Sequence, residues 1–113
     1  MAFSLMTWDC SEMAQFDVYR NPSKTSWNRA PYLVEIQGNY CDIITTCVVI
    51  PLVIVGQFIP APVLNPVIEI NGSKYLLSTA EMTAVSRSRL GRPVGSLKRL
   101  HSEIIQAIDR LLL

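Results

Sequence analysis

CVVIPLVIVGQFIPAPVL, Cys47 to Leu64, is the stretch on which the fold turns. It is nearly long enough to cross a bilayer as a helix, which takes about 20 apolar residues. Pro51, Pro60 and Pro62, with Gly56 and Gln57, break it, and a helix interior does not tolerate proline's missing N–H. Its uninterrupted apolar part, Val48 to Val55, is rich in β-branched residues and has the length of a strand. The segment is therefore expected to form a buried strand over Cys47–Val53 that bends at Pro51, since strands accept proline only at an edge, a bulge or an end. No membrane association is expected.

Upstream, QFDVYR (Gln15–Arg20) and YLVEIQ (Tyr32–Gln37) alternate apolar and polar residues as half-buried strands do. Between them, Asn21–Ala30 has the composition of a solvated loop and suits a mobile hairpin tip. Downstream, the Pro-rich piece Ile59–Pro66 leads to a strand at Val67–Ile70. Asn71-Gly72, the strongest hairpin signal in the chain, then turns it into Lys74–Ser78. Two brief strands are expected around Thr83–Val85 and Arg89–Leu90. Ser96 can cap a helix whose apolar residues Leu97, Leu100, Ile104, Ile108 and Leu111 fall on one face. Many short strands closed by one helix give a mainly β (α+β) fold, a small antiparallel barrel with a C-terminal α-helix, rather than an alternating nucleotide-binding sheet.

The 113 residues, 50% of them apolar, suffice for one domain with its own core. A net charge of +1 gives no reason to expect general phosphate or anionic-lipid binding. Cys10, Cys41 and Cys47 are odd in number, contain no C-x-x-C pair, and suit a reducing cytoplasm better than a disulfide framework. Met1–Met13 carries Asp9 and Glu12 where a secretory signal is uncharged.

The common phosphate-binding and zinc motifs are missing from the sequence, and His101, the one histidine, stands beside the apolar stripe of the helix without a catalytic context. With Cys41 and Cys47 it falls short of the four ligands of a closed zinc site, so neither a metal nor a cofactor is expected. One charge asymmetry stands out: Arg87, Arg89, Arg92, Lys98 and Arg99 form a basic run between Glu81 and Glu103. It reads either as a solvated face, or as a docking patch for an acidic partner segment or for RNA. Residue patterns alone describe a small β-rich binding protein.

Six segments in order carry a closer resemblance: Gln15-Phe16-Asp17-Val18-Tyr19, Val34-Glu35-Ile36-Gln37, Val49-Ile50-Pro51-Leu52, Leu64-Asn65-Pro66-Val67-Ile68-Glu69-Ile70, Met82-Thr83-Ala84-Val85 and Glu103-Ile104-Ile105-Gln106-Ala107-Ile108. From Gln15 onward the chain resembles the CcdB toxin family. Met13-Ala14-Gln15 fits the family's start, so residues 1–13 read as an extension or a misassigned start and 14–113 as the toxin domain.

The resemblance implies an SH3-like barrel with a C-terminal helix, forming a homodimer whose paired helices make the target surface. It implies a cytoplasmic, non-enzymatic toxin of a toxin–antitoxin pair, of the kind that serves plasmid maintenance. Such a toxin poisons DNA gyrase, a topoisomerase, through its A subunit. A CcdA-like antitoxin neutralises it, and the two together repress their operon, so that operator DNA is reached only through the antitoxin. A related barrel family cuts messenger RNA, which leaves a ribonuclease as the alternative, beside a degenerate toxin that keeps only antitoxin binding and regulation. The gyrase-binding positions implied are Tyr40, Cys41, Asp109, Leu112 and Leu113. Tyr40 and Cys41 stand where the family has an Ile-Ile pair, and Leu112 and Leu113 where it has an aromatic pair followed by Gly-Ile. These departures lead to the expectation of weak gyrase poisoning on an intact family fold.

Overall fold

A computed structural model of the chain describes residues 15–37, 46–56, 61 and 63–112. Among these residues the strands are β1 (Asp17–Arg20), β2 (Tyr32–Glu35), β3 (Thr46–Ile54), β4 (Val67–Ile70), β5 (Ser73–Leu77), β6 (Thr83–Ser86) and β7 (Gly95–Ser96), followed by helix α1 (His101–Leu112). All the strands join one antiparallel sheet in the order β4-β5-β3-β2-β1-β7, with β6 also paired to β3.

β3 is its spine. One edge pairs with β2 from Val49 to Leu52, while the other pairs first with β6 (Thr46 to Val49) and then with β5 (Leu52 to Ile54). Pro51 falls where the second edge changes neighbours. Its carbonyl accepts the Ser78 N–H at 3.0 Å on that edge, and the N–H that proline lacks would have pointed into the gap between β6 and β5. The strand therefore continues through a residue that would break a ladder elsewhere.

Alternate residues of β3 feed two cores. Ile50 and Leu52 join Phe16, Val18, Val34, Ile68, Leu77 and Leu97 beneath Ile104 and Ala107 of α1. Cys47 and Val49 face the opposite way, against Tyr19, Leu33 and Leu90. A sheet covered on both faces reads as a continuous apolar run rather than an alternating one, which is why this strand resembles a membrane span. The sheet also curls. β4 and β7 are its outermost strands, yet both line one cleft of about 260 Å³ with Val18, Val94 and Arg99. The result is a half-closed small barrel with its helix at the C-terminal end. No described helix is long and apolar enough to cross a membrane.

Local chemistry sets the joints. Asn71 and Gly72 both take positive φ (51° and 83°), the twist that a two-residue hairpin between β4 and β5 demands. Asn65, buried, accepts the Ala61 N–H and donates to the Leu77 carbonyl, fixing the Pro-rich entry to β4. The loop from Asn21 to Ala30, expected as a hairpin tip, is anchored by hydrogen bonds and packing. Asn21 Nδ2 bonds the Ala30 carbonyl at 2.8 Å, Trp27 Nε1 bonds the Asn21 carbonyl at 2.7 Å, and Ala30 packs on Val53 and Leu76. Side chains that could have been solvated instead satisfy the loop's own backbone.

Two further expectations are corrected. Arg89–Leu90 is not a strand: Arg87–Arg89 forms a 3-10 turn that drops Leu90 into the second core, and the short β7 pairs with β1 further on. Nor does the α-helix begin at Ser96. A 3-10 turn over Lys98–Leu100 precedes it, and the Ser96 hydroxyl accepts the Lys98 N–H at 3.3 Å. Glu103 in the first turn of α1 and Arg110 in its last complement the helix dipole.

Ile104 is fully buried and Leu112 is 69% exposed, so the helix has one anchored face. Ile104→Ala should lower stability by about 2–5 kcal/mol in urea denaturation. In dilute protein Leu112→Ala should change it by no more than about 0.5 kcal/mol. Equal effects of the two would contradict this seating of α1.

Candidate protein-docking surface

The helix end is the first place where sequence-derived binding positions can be located. Ile104 and Ala107 are buried, and Ile105 and Ile108 pack partly against the same core. Ile104 and Ala107 are spent on the barrel, whereas Ile105 and Ile108 keep part of their surface uncovered. Asp109 and Leu112 point away from it and are exposed, so the last turn of α1 presents a carboxylate and an aliphatic side chain to the outside. Tyr40, Cys41 and Leu113, the other implied gyrase-binding positions, lie outside the described residues.

The five basic positions do not share one environment. Arg89, Arg92, Lys98 and Arg99 are exposed, and the ion pairs among the described residues involve none of them. Arg89 borders a groove of about 430 Å³ between the Asn21–Ala30 loop and β6, with Leu33 and Val85 among its apolar lining. Arg99 lines the other cleft, between β4 and β7.

Arg87 turns inward. Its side chain is only 9% exposed, and its Nη2 donates to Glu35 Oε2 at 3.1 Å, the Glu35 side chain being fully buried. Tyr19 donates its hydroxyl to the other carboxylate oxygen of Glu35, also at 3.1 Å. Burial pushes the Glu35 carboxyl upward, and the bonds from Arg87 and Tyr19 work against that shift. Burial likewise opposes the charge on Arg87, but the bond to Glu35 and its field outweigh it and hold the guanidinium protonated. The Tyr19 phenol is pushed up by burial and then by Glu35. Cys47 sits in the same cluster, its thiol pushed up to about 12 first by burial and then by the neighbouring carboxylate. A buried carboxylate that holds one arginine, one phenol and one thiol across three strands and a turn is a structural knot.

Glu35 was hidden in an alternating pattern that placed it on a solvated face. The signal that could have exposed it is Leu33, two residues earlier on the same side and just as apolar as the residues of the opposite face. Among the described residues no group of three or more His, Cys, Asp or Glu is placed to hold a metal ion. His101 stands exposed at the start of α1, its ring edge-on to Phe16 with centroids 5.2 Å apart.

The knot makes Cys47 a reporter. In a chain with Cys10→Ser and Cys41→Ser, a thiol with a pKa of about 12 leaves roughly one part in ten thousand as thiolate at pH 8, so alkylation by iodoacetamide should be negligible until denaturant is added. Arg87→Ala strands the buried Glu35 charge and should cost about 3–5 kcal/mol in chemical denaturation, with faster labelling of Cys47. Rapid labelling of the native, unsubstituted knot would refute it.

Compared with protein-family models, residues 15–113 match CcdB protein. No curated protein matches the chain. The matched span takes in all of the described fold, from the turn that opens β1 to the last turn of α1, and it includes both the buried knot and the exposed helix end. The chain belongs to the CcdB family.

Proposed function

We propose that this protein is the toxin of a bacterial toxin–antitoxin module, acting in the cytoplasm by binding the A subunit of DNA gyrase and released from it by a cognate antitoxin. The observation that carries this reading is the family match over residues 15–113. It acts as a binder and not as a catalyst. Gyrase is engaged through the helix end, with Asp109, Leu112 and Leu113, together with Tyr40 and Cys41. The exposure of Asp109 and Leu112 supports this assignment. The antitoxin's acidic segment docks on Arg89, Arg92, Lys98 and Arg99, whose charges are unpaired among the described residues, and the pair represses its own operon. Arg87, drawn by sequence into the same patch, contributes from beneath by holding the turn that carries Arg89.

A ribonuclease reading would ask Arg87 or Arg89 to meet a phosphate; Arg87 is nearly buried with its Nη2 bonded to Glu35, which leaves the exposed Arg89 for that role, and RNA cleavage lost in Arg89→Ala would favour it. A toxin fold kept only for antitoxin binding would bind antitoxin and leave gyrase and RNA untouched.

The protein works as a homodimer. Leu112 is exposed, and Ile105 and Ile108 are only partly covered by the barrel, which leaves more apolar helix surface than one small domain needs. Light scattering at micromolar concentration should give twice the chain mass; a monomer would contradict the dimer.

Gyrase poisoning by this chain should be weak. Interface hot spots are few and favour large aromatic side chains, and the loss of one costs at least about 2 kcal/mol, roughly thirtyfold in affinity. Leu112 and Leu113 occupy the place of an aromatic pair in the family. With the host's own gyrase, cleaved DNA should accumulate little with the natural chain and clearly with a variant carrying Leu113→Trp followed by an added Gly-Ile. Strong trapping by the natural chain would show that a leucine suffices there, and no trapping by either would remove gyrase as the target.

A further inference from the structure

At the end of β1 remote from α1 lies a basic–aromatic cluster that the gyrase and antitoxin positions above do not include. Phe16, Val18 and Arg20 follow one another along one face of the β1 segment, beside Tyr32 and Val34 of β2, with Arg20 directly opposite Tyr32. The helix meets this row at Phe16 through His101. Arg20, four residues further on and so about 13 Å away along an extended strand, lies beyond its cover and is exposed.

The Arg20 guanidinium is stacked on two rings, its carbon 4.7 Å from the Trp27 centroid and 5.7 Å from that of Tyr32. Both rings are themselves fixed. Trp27 is held by the bond from its indole N–H to the Asn21 carbonyl, and Tyr32 by an edge-on contact with Tyr75 at 5.4 Å. Lys24 adds a second cation, its Nζ 6.0 Å from the Trp27 centroid. The ion pairs among the described residues are Arg29–Glu81 and Arg87–Glu35, so neither Arg20 nor Lys24 is neutralised by a carboxylate there. A guanidinium held over two aromatic rings has lost some of its freedom, and because Arg20 is exposed its N–H groups can still reach a partner. That is the arrangement in which arginine binds a carboxylate through two parallel hydrogen bonds at the least entropic cost.

The geometry points to a second docking site for an acidic, extended peptide segment, in which Arg20 takes a carboxylate in its fork, Lys24 takes a neighbouring one, and the half-buried Tyr32–Tyr75 pair seats an apolar side chain between them. A single-stranded nucleic acid fits less well. Such ligands need a track of cations along several phosphates, and here there are two, with the nearby Arg29 already paired to Glu81. The occupant is the acidic tail of the antitoxin, and in that respect this site rests on the toxin–antitoxin reading. A disordered tail that folds on binding can span both this cluster and the patch around Arg89.

The test titrates the full chain with the antitoxin encoded beside its gene, at low and at physiological ionic strength. Natural chain, Arg20→Gln, Arg20→Lys and Arg89→Gln/Arg92→Gln would be compared. Arg20→Gln should weaken binding about tenfold or more and flatten its salt dependence, and Arg20→Lys, which keeps the charge but loses the fork, should recover only part of it. Its thermal midpoint should match that of the natural chain, because Arg20 is exposed. Binding by Arg20→Gln equal to that of the natural chain overturns this site and leaves the toxin–antitoxin reading in place. Failure of the natural chain to bind overturns both. Competition by an oligodeoxythymidylate that is itself lost in Arg20→Gln gives the cluster to nucleic acid and overturns the peptide assignment.

Discussion

The fold hangs on a buried charge. Glu35 lies in the middle of the sheet with no solvent exposure, and desolvating a carboxylate costs several kcal/mol unless its oxygens are engaged. Arg87 and Tyr19 engage them, and they come from the turn after β6 and from β1. One carboxylate therefore joins β1 and β2 to the segment that must return across the sheet. That segment drops Leu90 into the second core and reaches β7, which lies against β1 and brings the chain to the start of α1. Arg87 holds the first part of the stretch from Ser86 to Ser96, and Leu90, the Val94 N–H bonded to the Val18 carbonyl, and β7 hold the rest. That stretch carries Arg89 and Arg92, so the same buried pair that stabilises the domain positions part of its exposed positive charge.

The sheet uses its two faces differently. Beneath α1 the contacts are aliphatic and close-packed, from Phe16 through Ile50 and Leu52 to Ile104. On the other face a smaller apolar cluster surrounds a polar knot, and close to it the Asn21–Ala30 loop and β6 leave a groove open. What these cores leave uncovered is the last turn of the helix, the groove with Arg89, and Arg20 at the far end of β1.

Much of this was legible in the sequence, for physical reasons that differ from element to element. Asn71-Gly72 announced its hairpin because few other pairs take positive φ twice. The helix announced its buried face because Leu100, Ile104 and Ile108 repeat at helical spacing. β3 was legible as a strand despite Pro51, although only the structure shows that the proline sits where β3 changes partners. The environment of Arg87 was not legible, because a sequence gives the sign of a charge and not the direction of its side chain, and its partner lies 52 residues away. The same limit concealed Arg20, whose two aromatic neighbours come from a loop and from the next strand. The resemblance carried by the six ordered segments is matched by the family assignment, but residue roles depend on orientation, which collinear segments do not encode.

We propose that gyrase is met by the exposed last turn of α1. The most direct measurement is equilibrium binding of the full chain to the A subunit of the host's gyrase, comparing the natural chain with Leu112→Glu and Arg20→Gln. A charge at the exposed Leu112 should abolish binding without unfolding the domain, and Arg20→Gln should bind as the natural chain does. Undiminished binding by Leu112→Glu would contradict the claim.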